Sequence, residues 1–375
     1  MDKELQSEWI INEDFVHINH AAIGPWPRRT CLAINKFATE NGQVGSFHYL
    51  AWMETEALLR KQFQALINAE SSDEIAILKN TSEALSVIAY GLNWQVGDNV
   101  VISNEEFPSN HIVWESLKNQ GVEIRYADLQ SGNSAEDEIK NQCDPNTKLL
   151  SISSVQYASG TRLNLKTLGE FCNQQNILFC IDAIQSIGAV EFDVQTYHAD
   201  FVVADGHKWM LGPEGVALFY CKSNQQTKLK LHQYGWHMVE DFLNFSEKNW
   251  KIANSARRFE CGSPNMLGIH GLSASLSLLL EVGMSNVEKM LMEKTNYLYE
   301  NLAQLSHIKF NCPADPNKRA GIINIASNEY SNEAKFTQLK KANVFCALRG
   351  KGIRLSPHYY TSKSKLDRVI QLLAD

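Results

Sequence analysis

The stretch VVADGHKWMLGPEGVALFY, residues 202–220, places a lysine between two apolar runs. FVV and VALFY are rich in β-branched and aromatic residues, and each reads as a buried strand. A lysine between two buried strands is costly unless it is paired, exposed at a strand end or used chemically. Lys208 follows His207 directly, just past the end of the first run.

Upstream of this stretch, strand-like runs alternate with helical ones. EIAIL (74–78) precedes TSEALSVIAYGL, and NVVIS (99–103) precedes SNHIVWESLKNQG. VEIRY and KLLSISSV lead to LKTLGEFCNQQN, and then ILFCID, DFVVA and GVALFY follow. This rhythm predicts an α/β fold with a mostly parallel sheet flanked by helices. Residues 26–70 read as mostly helical. Beyond about 225 the rhythm stops. Two segments of helical period follow, and then a smaller mixture of strands and helices. The expected organisation is an N-terminal arm (1–49) packed on a small domain and the active site, a large α/β domain (50–262) and a small C-terminal α+β domain (263–375).

Composition narrows the function classes. The chain has 375 residues, 44% hydrophobic and 21% charged, with a net charge of −7. It can bury a large core and is not disordered. Its basic residues are scattered, which argues against a nucleic-acid or anionic-membrane partner. The start, MDKELQSEWIINEDF, has no apolar h-region, so no signal peptide is read there and the cytoplasm is the expected location. Eight cysteines (31, 143, 172, 180, 221, 261, 312, 346) show no CxxC pair and no metal-like spacing, and they read as reduced, mostly core thiols.

In open α/β sheets ligands bind off the carboxyl ends of the strands. NTSEA (80–84) puts small polar residues at a helix start, which suits either an N-cap or an anion. Asp182 ends an apolar strand and is either a cap or the partner of a buried cation. Lys208 follows at the end of a later strand. Pyridoxal phosphate calls for this combination: a lysine for its aldehyde, a carboxylate at its ring nitrogen and a cradle for its phosphate.

Seven motifs in order carry a resemblance: TSEA (81–84), EEFPSN (105–110), SVQYASGTRLNL (154–165), IDAIQSIGA (181–189), ADGHKWMLGPEG (204–215), RFECGSPN (258–265) and IRLSPHYYT (353–361). Together with INHAAIGP near the N-terminus they cover nearly the whole chain. The chain resembles the class V aminotransferase family of fold-type I pyridoxal-phosphate enzymes, whose members include cysteine desulfurases, selenocysteine lyases, kynureninase and isopenicillin N epimerase. The resemblance implies that fold, pyridoxal 5'-phosphate as cofactor, a small amino-acid substrate and a homodimer with shared sites.

It also implies roles for single residues. Lys208 resembles the catalytic lysine that carries the cofactor. Asp182 resembles the partner of the ring nitrogen, and Gln185 the donor to the ring hydroxyl. Ile184 resembles the residue packed on the ring's inner face. His207, Ser82 and Thr81 resemble phosphate ligands, and helix capping is the alternative for the last two. Phe107 matches the aromatic that stacks on the ring, with a plain core phenylalanine as the alternative. Gln156 matches a second residue lining the site, and Asn110 one that approaches ring or substrate. Ser263 matches the residue that reaches the partner subunit's phosphate. Arg354 matches the arginine that grips the substrate carboxylate, and Asn19 and His20 lie where a loop closes over the substrate. No metal is expected.

Two departures stand out. Asp205 occupies a position that is often Ser or Thr and donates to phosphate. The desulfurase loop bearing a nucleophilic cysteine is missing, because VFCALRGKGIRLS runs almost directly from strand to strand. Phe107 also replaces a proton-moving histidine of the desulfurases. Transamination is the expected reaction. Elimination, including from cysteine or selenocysteine, and epimerisation share the same proton-abstraction machinery. A cofactor-binding scaffold without turnover is the reading from another class, and the Lys–Asp–Arg set argues against it.

Overall fold

A computed structural model describes residues 3–132 and 134–374. Seven strands form the main sheet: β1 (Ile75–Leu78), β2 (Asn99–Ser103), β3 (Glu123–Ala127), β4 (Thr147–Ser153), β5 (Leu178–Asp182), β6 (Phe201–Asp205) and β7 (Ala217–Cys221). Their spatial order is β1-β7-β6-β5-β4-β2-β3. Only β7 runs antiparallel to its neighbours, β1 and β6; the other pairs are parallel.

The apolar runs are continuous because both faces of the sheet are covered. Along β6, Val202 and Ala204 join one core cluster, while Phe201 and Val203 join the other. That alternation is the pleat of a strand buried on both sides. The strand order reverses between β4 and β2, so the carboxyl ends of β2, β4, β5 and β6 open onto one crevice.

A second, four-stranded antiparallel sheet holds β8 (Ile308–Phe310), β9 (Ile323–Ser327), β10 (Ala347–Arg349) and β11 (Gly352–Leu355), in the order β10-β11-β9-β8. The arm joins this unit. Val16 and His17 pair in parallel with Val344 and Phe345, and Asn19 bridges Ser356. Helix Met266–Val282 lies just beyond the expected boundary at 262. It packs against helices Arg28–Val44 and Tyr49–Ile67, and Ile269, Leu272 and Leu276 lie in the core cluster of the main sheet. Its apolar residues go to that larger core rather than to the small sheet. Among the described residues no single helix is long and apolar enough to cross a membrane.

A buried ionic network fixes helix Tyr49–Ile67 to the sheet edge. Arg60 donates to both Glu56 and Glu260 and to the Ile75 carbonyl. Glu260 in turn accepts from the Ile77 N–H at 2.8 Å. His237 is fully buried, with Nε2 3.6 Å from Glu56 and Nδ1 3.4 Å from Glu260. Its two ring nitrogens face different carboxylates, and a guanidinium already bridges them, so this is an ion-pair cluster rather than a convergent metal site. Burial alone would lower the His237 pKa; the two carboxylates outweigh it and raise it.

Candidate active site

Lys208 sits three residues past the end of β6, in the turn that the GHK motif makes before β7. It is 8% exposed, and its Nζ lies 5.4 Å from the centre of the Phe107 ring. Burial lowers the pKa of this amine; Asp182 opposes that fall, and the Arg354 guanidinium adds to it. A lysine so placed gives up its proton more readily than a solvated one. The arm reaches this turn directly: Gly24 N–H donates to the His207 carbonyl, and a Cβ at Gly24 would come within 2.4 Å of the Lys208 carbonyl.

Asp182 ends β5, buried, with Oδ1 accepting from the Ile184 N–H at 3.0 Å. Burial raises its pKa; that hydrogen bond opposes the rise, and the nearby Glu106 carboxylate increases it. A cation brought against Asp182, such as a protonated ring nitrogen, would restore the carboxylate. Ile184 is half-buried beside it.

The opposite wall is built around Arg354 on β11. It is 2% exposed; Nη1 donates to the Tyr157 carbonyl at 2.7 Å, Nη2 lies 3.4 Å from Asn19 Oδ1, and Nε has no partner. Tyr157 meets Phe107 edge to face, with ring centres 5.2 Å apart. Phe107 is 40% exposed, so it is not an ordinary core residue.

The anion end is the start of helix Thr81–Gly91. Asn80 caps it through the Glu83 N–H. Thr81 Oγ1 is buried without a partner, while exposed Ser82 donates to Ser109. Asp205 accepts from the Thr81 N–H at 3.3 Å, and its other oxygen lies 3.3 Å from His207 Nδ1. The carboxylate that departs from the usual Ser or Thr thus sits at the positive end of a helix beside an imidazole. Thr81 Oγ1, Gln156 Oε1 and Arg354 Nε are all buried and without hydrogen-bond partners. Such unmet capacity is expected of residues that hold a polar ligand, and the set fits pyridoxal phosphate: a lysine, a buried carboxylate and an anion-binding helix start.

Three expected residues are arranged differently from the expectation. Asn110 is turned into the core: its amide donates to Glu106 and accepts from Trp114 Nε1 and Ser151, leaving it no free acceptor for ring or substrate. His20 is fully buried, with Nδ1 2.9 Å from the Ser356 carbonyl and Nε2 2.6 Å from the Tyr360 hydroxyl. A carbonyl can only accept, so Nδ1 carries the proton and Nε2 accepts from Tyr360. His20 therefore braces the arm and offers no proton to a substrate. Burial, with neighbouring His17 and His358, holds its pKa well below the ordinary value. Gln185 donates to the Ala21 carbonyl and accepts from Trp209 Nε1, which leaves a single amide hydrogen uncommitted. Ser263 lies on a separate groove, of about 510 Å³, with Lys79, Glu83 and Gly215. Of the expected residues, Asn19 and Arg354 do meet, and Lys208 meets Phe107.

Glu106 was not singled out in the sequence. It is buried behind the site, among Ser103, Asn110, Ser153 and Gln156. The only signal for it is its place inside EEFPSN.

Cys346 is buried in the core of the small sheet, where burial pushes its thiol pKa up to about 12.

Comparison with known proteins adds a family. The sequence model described as "Aminotransferase class-V" matches residues 16–367. The chain is 30% identical to a probable cysteine desulfurase of Methanothermobacter thermautotrophicus, over 96% of this chain and 94% of that protein. It is 28% identical to an uncharacterized aminotransferase, YcbU, of Bacillus subtilis, over 86% of this chain and 84% of that protein. The structure superposes on an apo cysteine desulfurase from Thermococcus onnurineus NA1 with a TM-score of 0.88 at 22% identity, covering 100% of this chain and 97% of that one. It also superposes on the cystine C-S lyase C-DES, solved with its reaction product cysteine persulfide, with a TM-score of 0.91 at 21% identity, covering 97% of this chain and 98% of that one. At these identities the two likenesses establish the shared fold.

Proposed function

This chain belongs to the class V aminotransferase family, and from that premise we propose that it is a pyridoxal-phosphate-dependent lyase that cleaves a carbon–sulfur bond in a small amino acid. Relatives named as desulfurases support elimination over the transamination expected from the motifs alone. Pyridoxal phosphate, when bound, supplies an electron sink for charge developing at the substrate α-carbon. Arg354 is placed to take the substrate carboxylate through its unpartnered Nε and the outer Nη groups, with Asn19 and the Tyr157 carbonyl holding the guanidinium. Lys208, with its lowered pKa, is the base for the α-proton. Asp182 keeps a proton at the ring nitrogen. Phe107 and Tyr157 shield this volume from water.

The observation that carries the elimination reading is the position of Cys346. A desulfurase that stores sulfur on the protein needs an accessible thiolate above the substrate. Cys346 is 2% exposed, and its raised pKa leaves little thiolate near neutral pH. Sulfur would then leave free of the protein, as sulfide from cysteine or as a persulfide from cystine, and the carbon skeleton would leave as pyruvate and ammonia.

The test is to supply L-cysteine and L-cystine and to follow pyruvate, sulfide and protein-bound persulfide in wild type and Cys346→Ala. We expect sulfur release at the same rate in both proteins and no persulfide on the chain. Persulfide that forms within turnover time and vanishes in Cys346→Ala would return the protein to the desulfurases. Keto acid formed only when an amino-group acceptor is added would favour transamination.

A homodimer is part of the proposal. Ser263 faces a groove away from Lys208 in its own chain. Tyr234 and Phe245, 62% and 78% exposed, leave a large aromatic surface on the neighbouring loop. Sedimentation should give a dimer; a monomer that binds the cofactor tightly would contradict it.

A further inference from the structure

Glu106 is a carboxylate buried without an ion-pair partner among the described residues. Five donors hold it. Oε1 accepts from Ser103 Oγ at 2.8 Å, the Ser153 N–H at 3.0 Å and Gln156 Nε2 at 3.0 Å. Oε2 accepts from Asn110 Nδ2 at 2.8 Å and from Ser153 through both its N–H and its hydroxyl. A buried charge is costly unless its hydrogen bonds are met, and here they are.

The arrangement settles the orientation of Gln156. Its Nε2 donates to Ser103 Oγ at 3.1 Å as well as to Glu106. The Ser103 hydroxyl has already given its hydrogen to Glu106, so it can only accept from Gln156. A carboxylate can also only accept. The amide nitrogen is therefore fixed on the Glu106 side, and the carbonyl oxygen, buried and without a donor, is presented on the other. Gln156 also adjoins Tyr157, whose carbonyl holds Arg354 and whose ring meets Phe107. Ser153, which carries two of the donors, is the register partner of Asp182 across β4 and β5.

We propose that Glu106 is a positioning residue of this site, locking Gln156 so that it offers an acceptor, never a donor, to an O–H or N–H group of the bound cofactor or amino acid. The inference rests on the pyridoxal-phosphate reading of the site. With Gln at position 106 the anchor gains an N–H, and the Gln156 amide can turn over and present its NH2 instead. The group selected is a hydrogen-bond donor: a hydroxyl on the cofactor or an ammonium on the substrate.

The experiment is a double-mutant cycle with Glu106→Gln and Gln156→Leu, read by equilibrium dialysis of pyridoxal phosphate, by KM for L-cysteine and by the visible spectrum of the loaded protein. Loss of one such hydrogen bond to a buried partner should weaken binding by about tenfold. If the donor belongs to the cofactor, the dialysis constant and the spectrum move; if it belongs to the amino acid, KM moves while dialysis does not. In either case the double variant should be no worse than the weaker-binding single, because both changes remove the same contact. Independent, additive losses, or a Glu106→Gln protein with unchanged binding, KM and spectrum but a lower melting temperature, would leave Glu106 a purely structural residue and overturn the proposal. If Glu106→Gln does not fold, Glu106→Asp shortens the anchor's reach to the same amide; its loss should vanish in the Gln156→Leu background, and an additive loss would overturn the proposal. A wild type that takes up no pyridoxal phosphate would instead sink the cofactor reading itself.

Discussion

Lys208→Ala is expected to lose the visible absorbance of the loaded protein and to lower turnover by roughly 10²–10⁴-fold, the range for removing a general base. In the proposed mechanism the anchor and the base are the same nitrogen, so one substitution would remove both. The effect should be on chemistry rather than folding. The side chain is held by no hydrogen bond among the described residues and lies over the Phe107 ring. Absorption spectra and steady-state rates with L-cysteine, alongside a thermal melt, separate the two. A variant that keeps the visible band and wild-type turnover would mean that another amine does the work.

The second large effect lies far from that chemistry. Arg60→Leu should cost about 3–5 kcal/mol of stability, the scale for breaking a buried ion pair from one side. It would leave Glu56 and Glu260 facing each other in the core, with His237 still between them. It would also free the Ile75 carbonyl from its donor at the edge of the main sheet. Adding Glu260→Gln should recover part of the loss by removing one of the stranded charges. Denaturant unfolding of the three proteins measures this. A loss below about 1 kcal/mol would place Arg60 with exposed pairs of little worth.

The parallel sheet was legible in the sequence because its strands are buried on both faces and therefore read as unbroken apolar runs. Lys208 and Asp182 were legible because a charge at the end of such a run has few reasons to be there. Glu106 was not, because beside its local partners Ser103 and Asn110 its meaning lies in Ser153 and Gln156, about fifty residues away, which reach it only after β2 and β4 pair. The same logic explains Asn110 and His20. Each lies in a motif that adjoins the site, but the side chain follows the stronger local partners: a buried carboxylate for Asn110, a carbonyl and a tyrosine hydroxyl for His20. Motif position fixes where the backbone goes; satisfying buried polar atoms decides where the side chain points. The helix at Met266–Val282 was assigned by sequence order to the small unit, yet the core it fills was available only in three dimensions.

The arm's pairing with the small sheet has a consequence in time. Val16 meets Val344, Asn19 meets Arg354 and His20 meets Tyr360, contacts spanning 328, 335 and 340 residues. On the ribosome the arm emerges before the main sheet and its partners after it, so the main sheet can be complete while the arm's strand partners are still to be made. Closing so long a loop is entropically costly and slow relative to local contacts. The wall of the site built by Asn19 and Arg354 is therefore assembled after the half that carries Asp182 and Lys208. A nascent chain stalled before residue 344 holds Lys208 and Asp182 but not Arg354.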